Sequence, residues 1–146
     1  MKTLVIFYSR TGNTRKVAES ISKALKSDLT EIFPKQEFKG FFGFFRGGFQ
    51  AAMQKTPKIK PIKKKEYDLV VIGTPVWAGN MSSPVRTFLK KLKPKSVAFF
   101  ATKGNSLGKT FIEMEKLTKK PIATFSLKTA QVKGKFSVTS FTKKLK

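Results

Sequence analysis

The chain has 146 residues, a length that suits one domain. Cysteine and histidine are both absent, which removes disulfides, thiolate nucleophiles, Cys/His metal sites and the usual general base near neutral pH. With only eight scattered Asp and Glu besides, any chemistry falls to a bound cofactor, while 31 Lys and Arg give a net charge of +23 that favours acidic or polyanionic partners.

Thr3 to Tyr8 is a continuous apolar run of strand length, as expected for a strand covered on both faces. Ser9 to Asn13 reads as a turn, with Thr14 placed to cap the helix that follows. Val17, Ala18, Ile21, Ala24 and Leu25 recur at spacings of three and four and predict an amphipathic helix to about Lys26. A second strand is expected over Leu29 to Phe33, ending at Pro34. Residues 34–66 are the least regular part. Phe38, Phe41, Phe42, Phe45, Phe49, Ala52 and Met53 fall on one helical stripe, yet Gly40, Gly43, Gly47 and Gly48 each weaken a helix by up to about 1 kcal/mol. We read one broken or short helix there, then a polar connection through Pro57, Pro61 and Lys63 to Lys65. This insertion is longer than a simple crossover needs. It suits a covering helix, a cover over a ligand, a dimer contact or a peripheral membrane patch.

Asp68 to Gly73 is a central strand, and Pro84 to Leu92 a helix with Val85, Phe88, Leu89 and Leu92 facing inward. Val97 to Ala101 is the fourth strand, a helix begins near Lys109, and Ile122 to Leu127 is the fifth strand. Beyond Thr129, Val138, Phe141 and Leu145 keep a helical spacing among poor helix formers. The alternation predicts a single α/β domain over 1–146, an open, mostly parallel five-stranded sheet with helices on both faces. Ligands of such sheets bind at the carboxyl ends of the strands. This points to the loops Ser9–Thr14, Thr74–Ser83 and Thr102–Lys109.

Ser9-Arg10-Thr11-Gly12-Asn13-Thr14 lies between a buried strand and a helix start. A phosphate placed there meets unpaired amides and the positive end of the helix dipole. The hydroxyls of Ser9, Thr11 and Thr14 can donate to it, and Gly12 permits a tight turn. The dinucleotide fingerprint is absent, and Gly104 to Thr110 falls one residue short of a nucleoside-triphosphate loop. Trp77, the one tryptophan, sits on a strand-end loop where an indole can stack on a flat ring, with Thr74 and Asn80 able to bond the ring edges.

The first of these loops matches the (Thr/Ser)-x-Thr-Gly-x-Thr phosphate loop of flavodoxins. Gly73 to Pro84 (GTPVWAGNMSSP) resembles that family's second loop, which flanks the flavin. The likeness covers roughly residues 1–127. It implies strand order 2-1-3-4-5 and FMN as cofactor. The phosphate would lie on Ser9, Arg10, Thr11, Gly12, Asn13 and Thr14. The isoalloxazine would lie between Thr74, Pro75, Val76, Trp77, Ala78, Gly79 and Asn80 on one side and Thr102, Lys103, Gly104 and Asn105 on the other. Gly79 would let its neighbouring peptide rotate toward the flavin N5, and Lys103 would stabilise the reduced ring. No metal and no catalytic side chain are expected.

The implied function is electron carriage between redox proteins. The positive coat would recruit acidic partners such as a ferredoxin or a reductase domain. The alternative is an FMN-dependent NAD(P)H or quinone oxidoreductase on the same fold. A flavin-free basic binding module is the third reading. Many flavodoxins are acidic, so their partner surface does not carry over to this chain. Nucleic acid is disfavoured because the basic residues are mostly Lys and spread along the whole sequence. The opening apolar run is too short for a signal segment, which predicts a cytoplasmic protein.

Overall fold

The computed structural model describes residues 1–146. Strand β1 (Thr3–Phe7) is buried at all five positions, as its uninterrupted apolar run requires. Helix α1 (Asn13–Leu25) follows, then β2 (Asp28–Glu31), α2 (Gly40–Ala52) and the long β3 (Leu69–Trp77). The chain continues through β4 (Asn80–Met81), α3 (Ser83–Lys91), β5 (Ser96–Lys103), α4 (Thr110–Leu117) and β6 (Thr124–Lys128). Two short helices close it, α5 (Thr129–Lys133) and α6 (Thr139–Lys143). The main strands pair in parallel in the order β2-β1-β3-β5-β6. This is the expected 2-1-3-4-5 order, with the two-residue β4 added as an antiparallel hairpin on the end of β3.

Successive strand residues point to opposite faces, so the sheet carries two cores. Val5, Phe7, Val71, Ala98 and Phe100 meet Val17, Ala18 and Ile21 of α1 on one side. Leu4, Ile6, Val70, Ile72 and Phe99 meet Val85 and Leu89 of α3 and Met114 of α4 on the other. The tail, unremarkable as sequence, belongs to the first core. Val132, Val138, Phe141 and Leu145 are all buried there, and Lys16 Nζ donates to the Val132 carbonyl at 3.0 Å. It forms two short helices instead of one, joined through buried Val138.

The insertion departs most from expectation. α2 is one continuous helix of 13 residues, and its buried positions are Gly43, Gly47 and Ala51. Phe41, Phe42, Phe44, Phe45 and Phe49 point outward. The reason is shape. Without side chains, the glycine face lets the helix backbone sit against the Phe38 main chain and the Trp77 indole. A Cβ on Gly43 would overlap the Phe38 main chain, and one on Gly47 would lie 3.0 Å from Trp77. Hydrogen bonds hold this seating. Arg10 donates to the Phe38 and Gly40 carbonyls at 3.0 and 2.9 Å, Arg46 to the Glu37 carbonyl at 2.7 Å, and Ser83 Oγ to Gln50 Oε1 at 2.9 Å. No helix is long and apolar enough to cross a membrane.

Candidate functional site

β1 delivers the chain to a turn in which Gly12 takes φ +99°, a left-handed conformation suited to glycine. The Gly12 amide donates to Ser9 Oγ at 3.0 Å, and Asn13 Nδ2 reaches Thr11 Oγ1 at 3.4 Å. α1 then begins with no side-chain cap and no acid in its first turn. The amides of Asn13 and Thr14 donate to no protein acceptor. Uncapped amides, the positive end of the helix dipole and the Ser9 and Thr11 hydroxyls together make a cradle for an anion. Glu31, at the end of β2, is already held in a two-bond pair by Arg15 at 2.7 Å.

Two residues of this loop behave differently from expectation. Thr14 is not the cap: Gly12 occupies that position, and Thr14 lies inside the first turn, buried, sharing a 2.8 Å hydrogen bond with Thr102. Arg10 turns its guanidinium toward the Phe38 and Gly40 carbonyls, so its side chain anchors the start of α2.

The second loop is a tight hairpin. Trp77 pairs with Asn80 and Val76 with Met81 across Ala78 and Gly79, at φ 49° and 71°. Two consecutive left-handed residues form the primed turn that a two-residue hairpin favours. The sequence concealed it because Ala-Gly is not one of the usual signals. Thr74 and Asn80, expected at the ring edges, are buried and brace the hairpin from behind. The Thr74 hydroxyl bonds Pro75 O and Ser82 Oγ at 2.8 and 3.1 Å and accepts the Ser82 amide at 3.0 Å. Asn80 Oδ1 accepts from the Met81 amide at 2.8 Å and from Arg86 Nη2 at 3.1 Å. Arg86, on α3, is a residue the sequence reading missed. It is buried under the hairpin with its Nε unpartnered, and burial pulls its pKa down while Glu113 opposes that shift. Its signal was an arginine next to Val85 on the inward face of a helix.

Trp77 is partly buried in an aromatic cluster. Tyr8 meets it edge-on at 5.3 Å and Phe38 at 5.1 Å, while Gly47 of α2 lies against the indole. Part of the ring expected to stack on a ligand is therefore in contact with protein. Burial pushes the Tyr8 phenol up to about 12, with Arg10 pulling the other way, so it stays protonated at neutral pH.

In the third loop, Thr102 is buried behind the cradle. Lys103 directs its ammonium to Ser126 Oγ at 3.0 Å, and its carbonyl accepts from Thr129 at 3.1 Å, so the side chain binds β6. Gly104 and Asn105 are exposed, and Gly104 has open space on its Cβ side. Gly108, at φ +55°, packs on Gly79, and the Lys109 amide donates to the Gly79 carbonyl at 2.7 Å. This pins the peptide after Gly79 and confines the expected rotation to the peptide before it. Val76 and Ala78 remain on the hairpin itself, and Pro75 precedes it, paired with Thr102 of β5.

The three loops thus meet at one end of the sheet: Thr14 touches Thr102, and Gly79 touches Gly108. None of the eight acids falls within any of them. Free amides, two hydroxyls, a left-handed glycine and loops without an acid fit a phosphorylated ligand, and the hairpin with Trp77 fits a flat ring beside it.

Known proteins give this geometry a context. A family model described as NADPH-dependent FMN reductase matches residues 1–141. Protoporphyrinogen IX dehydrogenase (quinone) of Escherichia coli (strain K12) is 29% identical over 121 residues, covering 83% of this chain and 52% of that protein. The chain therefore spans about half the length of the curated relatives it matches. A flavoprotein solved in complex with FMN, from Lactobacillus acidophilus NCFM, is 28% identical with a TM-score of 0.71, over 86% of this chain and 92% of that one. A flavodoxin from the domain Archaea shares the fold at 18% identity and a TM-score of 0.55, over 91% of this chain and 92% of that one. The family match runs through the cradle, the hairpin and the third loop alike, and so the chain belongs to the NADPH-dependent FMN reductase family, built on a flavodoxin-like fold.

Proposed function

We propose that the chain binds FMN and works as an FMN-dependent oxidoreductase, accepting electrons from a nicotinamide donor and passing them to a quinone-type acceptor. The observation that carries this reading is the uncapped, acid-free start of α1 on the left-handed Gly12 turn, inside a match to the reductase family over residues 1–141. When bound, FMN supplies one- and two-electron transfer at its ring. The chain's own residues bind and orient it. The amides of Asn13 and Thr14 and the hydroxyls of Ser9 and Thr11 would hold the phosphate. The Trp77–Gly79 hairpin and Gly104–Asn105 would border the ring. Buried Thr74, Asn80 and Arg86 keep the hairpin in place. The net charge of +23 favours any negative charge the ligand carries.

A second reading, carriage of electrons between redox proteins, has that same charge in its favour. Acidic partners such as a ferredoxin or a reductase domain would dock quickly, with rates falling as salt rises. One experiment separates the two. The protein is reconstituted with FMN and mixed anaerobically with NADPH or NADH and a soluble quinone such as menadione. Sustained nicotinamide oxidation above a free-FMN control is the expected result. No turnover, but rapid salt-sensitive exchange with a reduced ferredoxin, would favour carriage. A protein that takes up no FMN overturns both.

A further inference from the structure

We infer that the outer face of α2 is a docking surface for an anionic lipid bilayer. Phe42 is 87% exposed and Phe41 72%, and Phe44, Phe45 and Phe49 are each more than half exposed. At roughly 200 Å² per aromatic side chain, these present on the order of 600 Å² of ring surface, at the top of the range for the largest apolar patch on a monomer. The rings form a cluster, with Phe41 and Phe45 at 4.7 Å and Phe44 and Phe45 at 5.7 Å between centroids. The face is built to stay outward. Gly43 and Gly47 seat the opposite side against Phe38 and Trp77, where a side chain would collide, so the helix cannot roll its phenylalanines inward.

The surroundings name the occupant. α2 contains no acid, and exposed Lys35, Lys39, Lys55 and Lys58 flank it. Glu37, the one acid between residues 32 and 65, is already paired with Lys39 at 2.8 Å. A second copy would bring another +23 charge to the contact. A bilayer with anionic headgroups instead complements the lysines while its acyl boundary takes up the phenylalanines, which is the pattern of an interfacial helix. Because Arg10 and Trp77 tie α2 to the cradle and the hairpin, docking would also set the site beside the membrane. Only this consequence, access to a lipid-soluble acceptor, rests on the quinone reading. The docking does not.

Co-sedimentation of the full chain tests it, using phosphatidylcholine vesicles with and without phosphatidylglycerol. We expect binding at least tenfold stronger to the anionic vesicles. The double variant Phe42→Ser/Phe45→Ser should lose at least tenfold of it while keeping its circular dichroism and FMN uptake. In a second variant, Phe42→Trp, the new indole emission should shift blue on anionic vesicles and be quenched by brominated acyl chains. Equal binding by wild type and the serine variant would leave only attraction by the lysine coat and overturn the proposal. A Phe42→Trp indole that stays in water would do the same. Absence of vesicle binding, with a dimer in sedimentation velocity that the serine variant abolishes, would reassign the face to a second copy.

Discussion

Thr14 and Thr102 stand 88 positions apart in the chain, yet their hydroxyl oxygens lie 2.8 Å apart, both residues buried. The bond ties the first turn of α1, which forms the anion cradle, to the end of β5, where the third loop departs. Replacing Thr14 with Val strands the Thr102 hydroxyl in a buried site. The expected loss is about 1–3 kcal/mol in urea unfolding. The double variant Thr14→Val/Thr102→Val should lose less than the sum of the two singles, since no orphaned hydroxyl remains. Strictly additive losses would show that the two hydroxyls do not act as a pair.

Gly108 and Gly79 make the companion contact between the second and third loops. A Cβ on Gly108 would overlap the Gly79 main chain, and φ +55° strains any L side chain. Gly108→Ala should destabilise the fold by about 2–4 kcal/mol, from left-handed strain plus overpacking. FMN affinity should fall with it as the hairpin is displaced. Gly104→Ala, which meets nothing within 4 Å, should stay within about 0.5 kcal/mol of wild type. Calorimetric titration with FMN, alongside thermal melts, compares the two. FMN binding by Gly108→Ala as tight as that of the wild type would dissociate the hairpin from the ligand site.

Much of this architecture was legible in the sequence because strand burial and βα alternation are strong signals. The turn that opens α1 was legible too, since it depends on a glycine and small hydroxyls at a strand end. What stayed hidden depends on contacts between distant segments. Ala78 gives no sign of a left-handed turn, which is imposed by the pairing of Trp77 with Asn80. Arg10 looks like a phosphate ligand until the Phe38 and Gly40 carbonyls come into reach. In α2 the sequence showed a phenylalanine stripe interrupted by glycines and left open which side packs. Close approach to Phe38 and Trp77 buried the glycine stripe. The tail showed a helical spacing at Val138, Phe141 and Leu145 but little propensity, because its short helices are held by packing against α1.

The glycines of α2 should separate by face. Gly48 has open space where a Cβ would go, so Gly48→Ala should stabilise the protein by about 0.5–1 kcal/mol through helix propensity. Gly43→Ala places a methyl against the Phe38 main chain and should destabilise by about 1–3 kcal/mol despite the same gain in propensity. Thermal melts of the two single variants provide the check. If both alanines stabilise, α2 does not sit on Phe38 as described.

Tyr8 gives the fold a dependence on alkaline pH. Burial raises its phenol from 10.0 to about 12, against the opposing pull of Arg10 and Arg46. The folded protein therefore keeps this proton to higher pH than the unfolded chain does. The contribution is complete below pH 10, declines as pH rises toward 12 and is gone above it. At about 1.4 kcal/mol per pH unit, the loss across that window is roughly 2–3 kcal/mol. Tyr8→Phe removes the ionisable group but keeps the ring beside Trp77 and Phe38. Its stability should fall less steeply between pH 10 and 12, with the remaining slope due to Tyr67, Lys39 and Lys65, whose pKa values the fold also raises. Urea unfolding at both ends of the window measures the difference. If the two proteins weaken in parallel, the Tyr8 phenol is open to water and burial does not set its ionisation.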